Sequence, residues 1–404
     1  MRRDGVVISG MGAVSAAGLG ADALWTAARD GRSAVSTVEL PRGERLNVRI
    51  AAQIKAFDPA AHLEAEVLPG CDRYSQFALV AADQAVAQAG LQRGTPLGER
   101  TAVIVGTGIG GWTTIDDMNV AYYLNNARFD PLTIPRGMAN AAACLISMRY
   151  GATGPTFCVS SACSSATQAI GIGAAMVRSG AVDRAIVGGS EACLTATAIR
   201  AWELLRVLTP NCCRPFSKGR NGMVLGEGAG IFVLETMDGA SARGASPLAE
   251  IAGYGTSSDA ADLVRPDANG AAAAMRGALK DAEVGPESIG YVNAHGTGTI
   301  LNDIVETAAL RQVFGEGLSN IAVSSTKPIH GHALGAAGAL ELAITVMAVR
   351  EGVAPPTINW LEPDGRCLPD PVATGARSIP IEVALSNSFA FGGINASLAV
   401  RQVH

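Results

Sequence analysis

The sequence predicts an α/β fold, and two observations carry that prediction. Short apolar runs alternate with longer helical ones. A strand-like run ending in a Gly-Thr-Gly turn occurs once in each half of the chain. Composition agrees: charged residues are 17% and hydrophobic ones 48% of 404 residues, which excludes global disorder. Aromatics are only 5%, so Ala, Val, Leu and Gly must fill the core. A formal net charge of −5 disfavours non-specific nucleic-acid binding.

The elements follow in chain order. Val6-Val7-Ile8-Ser9 reads as a first buried strand closed by Gly10. The preceding Met1-Arg2-Arg3 imitates a secretion signal, but Asp4 and repeated glycines interrupt the apolar stretch and favour the strand. Further buried strands are expected at 101–105, 156–160, 184–187, 230–235, 291–293 and 322–325, with a last pair at 381–385 and 396–400. Helices are expected at 21–31, 75–89, 138–150, 164–179, 269–281, 304–314 and 335–351. No apolar run approaches the ~18 residues of a membrane span, so none is expected. The cysteines (Cys71, Cys144, Cys158, Cys163, Cys193, Cys212, Cys213, Cys367) show no repeated spacing and no C-x-x-C, which argues for a reduced cytoplasm and against a zinc ribbon.

A small, polar stretch at 238–247 reads as a seam between halves 1–245 and 246–404. Across it, 101–105 runs into Gly106-Thr107-Gly108, and 291–293 into Ala294-His295-Gly296-Thr297-Gly298. The strand at 156–160 delivers Cys163 to a helix start, and that at 322–325 delivers Lys327 and His332 before another. Two copies of one unit explain this, although α/β chains also offer such coincidences.

Cys163 lies in Ser160-Ser161-Ala162-Cys163-Ser164-Ser165, between a strand and an Ala-rich helix. A helix N-terminus favours thiolate, and its unpaired N–H groups suit an oxyanion. The alternative is a buried structural cysteine. Of five histidines (His62, His295, His330, His332, His404), three lie in glycine-rich strand-end loops, where function concentrates. His330 and His332 lack a third ligand at plausible spacing, so no metal is expected. Asp303 and Glu306 share a helix face; a buried carboxylate near Lys327 would balance its charge, and a solvated face is the alternative. Gly392-Gly393 permits positive φ in a hairpin turn whose N–H groups suit the other half of an oxyanion hole. Gly106-Thr107-Gly108-Ile109-Gly110-Gly111 fits G-x-G-x-x-G, but no acidic residue ends a strand ~20 residues on, which rejects a dinucleotide site.

Together the segments 161–166, 222–230, 293–299, 324–338 and 387–395 make the chain resemble, over essentially its whole length, the β-ketoacyl-acyl carrier protein synthases of the elongating Cys-His-His type. The phrases 293–299 and 213–217 are similar to the nodulation-type members serving specialised acyl chains. The resemblance implies a thiolase-like fold, with two pseudo-symmetric halves in five αβαβα layers. It implies that Cys163 takes an acyl group from a thioester. By the same resemblance His295 and His332 would assist decarboxylation of malonyl-carrier protein, and Lys327 and Glu306 would order them. The Cys163 and Phe391 N–H groups would hold the oxyanion, with Phe391 also a gate. Asp303, Gly392, Gly393 and Asn395 would give support, and Ile109, Met138 and Phe391 would belong to the acyl pocket. No cofactor is implied beyond the phosphopantetheine of an acyl carrier protein. The partners implied are that carrier and a second copy, with 134–142 on the shared wall, or a chain-length factor; no nucleic acid or membrane is implied. A thiolase would carry a second cysteine in a C-terminal C-x-G motif, whereas Cys367 is followed by Leu368-Pro369. A silent partner subunit would lack the cysteine. Two departures stand out: His62-Leu63-Glu64-Ala65-Glu66, with only Arg73 nearby, where the family commonly offers basic residues, and His330 where threonine is common. Arg200, Arg206, Arg214, Lys218 and Arg220 are the candidates for a replacement patch.

Overall fold

Ten strands organise the chain, described here over residues 5–403 in a computed structural model; Met1-Arg2-Arg3-Asp4 and His404 lie outside the described residues. They are β1 Val6–Ser15, β2 Thr101–Gly106, β3 Thr156–Val159, β4 Arg184–Glu191, β5 Gly228–Thr236, β6 Ala249–Ser258, β7 Ile289–Asn293, β8 Ala322–Ser324, β9 Val383–Ala390 and β10 Ile394–Arg401. Their spatial order is β8-β7-β9-β10-β6-β1-β5-β4-β2-β3. Each half thus has its third, second, fourth, fifth and first strand side by side. The pairing senses repeat too: β2 is parallel to β3 and β4, and β7 to β8 and β9, while the remaining neighbours within each half are antiparallel. The two half-sheets pair through two residue pairs, Val7↔Glu250 and Ile8↔Ala249.

The helices that position the site are α1 Ala21–Arg29, α2 Arg73–Gln88, α3 Trp112–Asn125, α4 Ala141–Tyr150, α5 Ser165–Arg178, α6 Ala196–Leu204, α7 Ala268–Asp281, α8 Ile300–Phe314 and α9 Ala337–Glu351. Strand periodicity sorts them into layers. On β2, Ala102 and Ile104 join a central apolar cluster, while Val103 and Val105 face the cluster beneath α2 and α4. On β10, Leu398 and Val400 face the centre and Ala399 faces the cluster beneath α7 and α8. The central cluster takes α5 and α9 from both halves. The result is five layers: helices, half-sheet, α5 with α9, half-sheet, helices. Both faces of each half-sheet are covered, which is why its strands read as continuous apolar runs.

Several boundaries differ from expectation. β1 extends to Ser15 because β5 pairs along it past an irregularity at Ile8/Gly10. β6 went unrecognised: its Gly- and Ser-rich sequence lacks strong alternation, and pairing with β10 along its length holds it. α4 starts at Ala141 instead of 138, since Met138 is extended after a separate turn, Thr133–Gly137. The seam at 238–247 carries a short helix, Met237–Ala242, capped by the Thr236 hydroxyl.

Candidate active site

Cys163 sits in the turn Ala162–Ser164 between β3 and α5. Ala162 has φ +51°, a left-handed conformation that costs a β-carbon residue about 1 kcal/mol or more. Small hydroxyl residues close the elbow. The Ser165 hydroxyl accepts from the Ser161 N–H at 2.9 Å and donates to the Ala162 carbonyl at 2.6 Å, and the Ser164 hydroxyl donates to the Ser161 carbonyl at 2.8 Å. The second half repeats the device: the turn Leu334–Ala336 precedes α9, and Leu334 has φ +45°. Gly335 occupies there the place of Cys163. The expected thiolate is corrected: burial pushes the Cys163 thiol up to about 12, with the Lys327 charge only partly opposing it.

The Cys163 sulfur and one ring nitrogen from each of His295 and His332 lie within 4.8 Å of one another. The two rings meet edge to face, with centroids 5.3 Å apart at 83°. His332 Nδ1 accepts from the Leu334 N–H at 3.2 Å, and His295 Nδ1 faces the Lys327 ammonium at 3.3 Å. Both partners are donors, so each neutral ring carries its proton on Nε2. Burial, then the Lys327 charge, holds both imidazoles well below the ordinary histidine range. A metal does not suit this trio. A ligating histidine donates its other N–H to an acceptor, whereas both Nδ1 atoms here face donors.

The carboxylates divide the supporting work differently from the expectation. Glu306 does not pair with Lys327. It accepts from the His295 N–H at 2.8 Å and the Gly296 N–H at 2.7 Å, and burial pushes it up to about 7. Lys327 pairs instead with Glu341, both buried. Beside that pair, Asn293 Oδ1, Glu341 Oε2 and Ser386 Oγ are buried without a hydrogen-bond partner. Asp303, also buried, accepts from the Phe216 N–H at 2.8 Å and the Gly298 N–H at 3.2 Å, and burial pushes it up to about 6. Glu191, missed in the sequence, accepts from the Gly108 N–H at 2.6 Å and the Gly335 N–H at 2.9 Å, tying a loop of one half to the elbow of the other. Both missed residues left a signal: Glu341 is the one charge inside the apolar run 337–349, and Glu191 ends a run of small residues.

The β9–β10 hairpin supplies the opposite wall. Gly392 and Gly393 have φ +85° and +68°. Their N–H groups are consumed, at 2.8 Å by the Leu263 carbonyl and at 3.1 Å by the Ala390 carbonyl, so they do not serve an oxyanion. The Phe391 N–H instead faces the Cys163 sulfur. Asn395 steadies the turn by donating to Asp259 at 2.7 Å and to the Gly393 carbonyl at 3.3 Å. The Phe391 ring stacks on Trp202, with centroids 5.9 Å apart. A cavity of about 310 Å³ opens on Cys163, His295, His332 and Phe391. Ile109 packs in the apolar cluster that holds Cys163. Met138 is 44% exposed and lies outside the cavity lining, because its segment leaves the helix before α4 begins.

His330 is buried, bonds through Nε2 to the Thr326 hydroxyl at 3.0 Å, and is pushed down by burial to about 3. Arg73 binds Glu227 and the Ile54 carbonyl, and Arg220 is buried against Asp303 and Asp364, so neither belongs to a surface patch. Arg200 pairs with Glu203 and Lys218 with Glu362. The Arg214 guanidinium bonds to the Cys212 sulfur at 3.1 Å. Glu64 is held by Arg93 and Arg149.

Comparison with known proteins agrees with this geometry. Residues 3–240 match the family described as "Beta-ketoacyl synthase, N-terminal domain" and residues 248–361 match "Beta-ketoacyl synthase, C-terminal domain". The chain is 45% identical over 399 residues to "Nodulation protein E" of Rhizobium sp. (strain N33), covering 98% of this chain and 99% of that one. It is 38% identical over 412 residues to "3-oxoacyl-[acyl-carrier-protein] synthase 2" of Coxiella burnetii (strain RSA 493 / Nine Mile phase I), covering all of both. Among solved structures, "The ishigamide ketosynthase/chain length factor" superposes with TM-score 0.95 at 34% identity over the full length of both chains. A type II PKS acyl-carrier protein in complex with its ketosynthase (AntDE:AntF) gives 0.91 at 31%, again over both full chains.

Proposed function

The chain belongs to the beta-ketoacyl synthase family, and on that premise we propose how its residues divide the work of condensation. The reaction joins an acyl group to the two carbons of malonyl-acyl carrier protein, with loss of CO₂ and formation of one C–C bond. Cys163 attacks the acyl thioester; its proton leaves on the departing pantetheine thiol, and the acyl group stays on sulfur. Malonyl thioester then replaces that arm. When CO₂ departs, its bonding pair remains as an enolate, and the Nε2–H groups of His295 and His332 donate to the enolate oxygen. The enolate carbon attacks the acyl-Cys163 carbonyl, and the Cys163 and Phe391 N–H groups hold the tetrahedral oxyanion. Collapse releases a β-ketoacyl-carrier product and expels Cys163 as thiolate, which takes one proton from solvent to return to the thiol. Neutral donors in a dry site suit a step that creates negative charge without adding a proton.

The observation that carries this reading is the pair of neutral imidazoles whose Nδ1 atoms both face donors. We take 1–245 and 246–404 as the two halves, phosphopantetheine-borne acyl groups as the substrates with no free cofactor, and the cytoplasm as the location. No described helix is long and apolar enough to cross a membrane. The exposed Tyr123, Leu124, Phe129 and Ile134 support a second copy as the covering partner. Intact-mass analysis with acyl thioesters and malonyl-loaded carrier tests the reading. A mass gain at Cys163 followed by a β-ketoacyl product two carbons longer is expected. No acylation by any donor overturns it and favours a subunit that needs a chain-length-factor partner, the assembly named for the ishigamide structure.

A further inference from the structure

Among the residues lining the cavity above Cys163, none is acidic, and the only fixed charges are the guanidinium groups of Arg206 and Arg265. Their setting differs from that of the other cations nearby. Arg200, Lys218 and Arg220 each face a carboxylate within 4 Å. Arg206 and Arg265 are exposed and form no salt bridge among the described residues.

Both are placed by their backbone. Arg206 follows α6 with φ +58°, a helix-end position that favours glycine, and its N–H bonds to the Glu203 carbonyl at 2.9 Å. A left-handed arginine is costlier than glycine there, so the position keeps a cation against local preference. Elsewhere in the lining, the Arg265 and Val264 N–H groups both donate to one Asp262 oxygen, at 2.9 and 2.8 Å. The adjoining Leu263 carbonyl accepts from Gly392 of the catalytic turn. One arginine thus stands just past α6, lining the cavity with Trp202, and the other on the loop tied to the Phe391 turn.

The geometry points to an anion subsite at the cavity mouth, in which Arg206 and Arg265 bind the phosphate of a phosphopantetheine thioester. This rests on the condensing reading above, in which a thioester must reach Cys163 through this mouth. The shared chemistry is a phosphoester one pantetheine length from the thioester sulfur, borne either by a carrier-protein serine or by coenzyme A. Guanidinium forks suit phosphate oxygens, and no carboxylate lines the cavity; Asp262, beside Arg265, has one oxygen taken up by the Val264 and Arg265 N–H groups.

The direct test is calorimetric titration of the full-length protein with 4′-phosphopantetheine and with pantetheine. The wild type is expected to bind the phosphorylated compound about tenfold more tightly, less so as salt rises. In Arg206→Gln/Arg265→Gln that ratio falls toward one, whereas Arg276→Gln/Lys280→Gln, an equal charge loss on α7, keeps it. A wild-type ratio near one, or a ratio unchanged in the double variant, overturns the subsite. Turnover separates the two readings. Comparable loss of kcat/KM for acyl-carrier and acyl-coenzyme A donors in the double variant supports phosphate binding. Loss confined to the carrier donor overturns it in favour of contact with the carrier's surface. Absence of condensation by the wild type with every donor refutes the condensing reading, while the titration still decides the subsite.

Discussion

Lys327 lies between a carboxylate and an imidazole, pairing with Glu341 and facing His295 Nδ1 at 3.3 Å. Removing one partner of a buried ion pair leaves an uncompensated charge and costs about 3–5 kcal/mol. Glu341→Gln is therefore expected to lower the denaturant midpoint strongly. The double variant Lys327→Met/Glu341→Leu is expected to recover much of that stability while malonyl decarboxylation stays low, because His295 has lost the donor that fixes its tautomer. Recovery of both together would show that the pair acts only on folding. Cys163, His295, His332 and Lys327 were legible in the sequence because rare reactive types stand in small-residue loops. Glu341 and Glu191 were not singled out, since their partners lie far along the chain: Lys327 is 14 residues from Glu341, and Gly335 is 144 from Glu191. Glu306 was found and expected to order the histidines; it holds the His295 and Gly296 N–H groups, while Glu341 takes the Lys327 charge. Its helix-face spacing said that it was near the loop, and only the fold shows that it binds that loop's backbone.

The elbow is the element on which acylation depends. Gly106, at the end of β2, lies against the start of α5: an added β-carbon would stand 2.4 Å from the Ala166 nitrogen and 2.5 Å from the Ser165 carbonyl oxygen. Both neighbours are backbone of the first turn of α5, which directly follows the turn that carries Cys163. Gly106→Ala is expected to destabilise the protein by about 1–3 kcal/mol and to slow acylation of Cys163 more than the lost folded fraction explains. Full acylation per folded molecule would mean that the elbow tolerates displacement. At this scale most strands and helices were legible, because runs buried on both faces declare themselves through Val, Ile and Ala. β6 was not, since Gly253, Gly255 and the terminal serines carry no strand preference of their own. The start of α4 was misplaced for a related reason: Met138 and Ala139 look helical, but the chain is extended at Met138.

Across the whole molecule, the repeated strand order makes the weak sequence echo physical. Each half ends a strand in a glycine loop and begins a central helix from a left-handed elbow. One elbow bears a thiol, and the other bears a glycine beside the histidine loop. The five layers required the resemblance to be foreseen, because alternation alone gives a class and not a layer order. Tyr123 (75% exposed) and Ile134 (67% exposed) are open to solvent, and the rings of Tyr122, Tyr123 and Phe129 touch, so these exposed aromatics are not scattered singly. Sedimentation is expected to give a dimer that Tyr123→Glu/Ile134→Glu shifts toward monomer; a monomeric wild type would contradict this. The central claim is that the thiol carries the acyl group while the histidine pair handles decarboxylation. It is tested most directly by giving Cys163→Ala malonyl-carrier protein together with an acyl donor, and following protein mass and carrier products. No acyl-enzyme and no β-ketoacyl product are expected, with malonyl still converted to acetyl on the carrier. Retained condensation, or loss of decarboxylation in a folded variant, would contradict it.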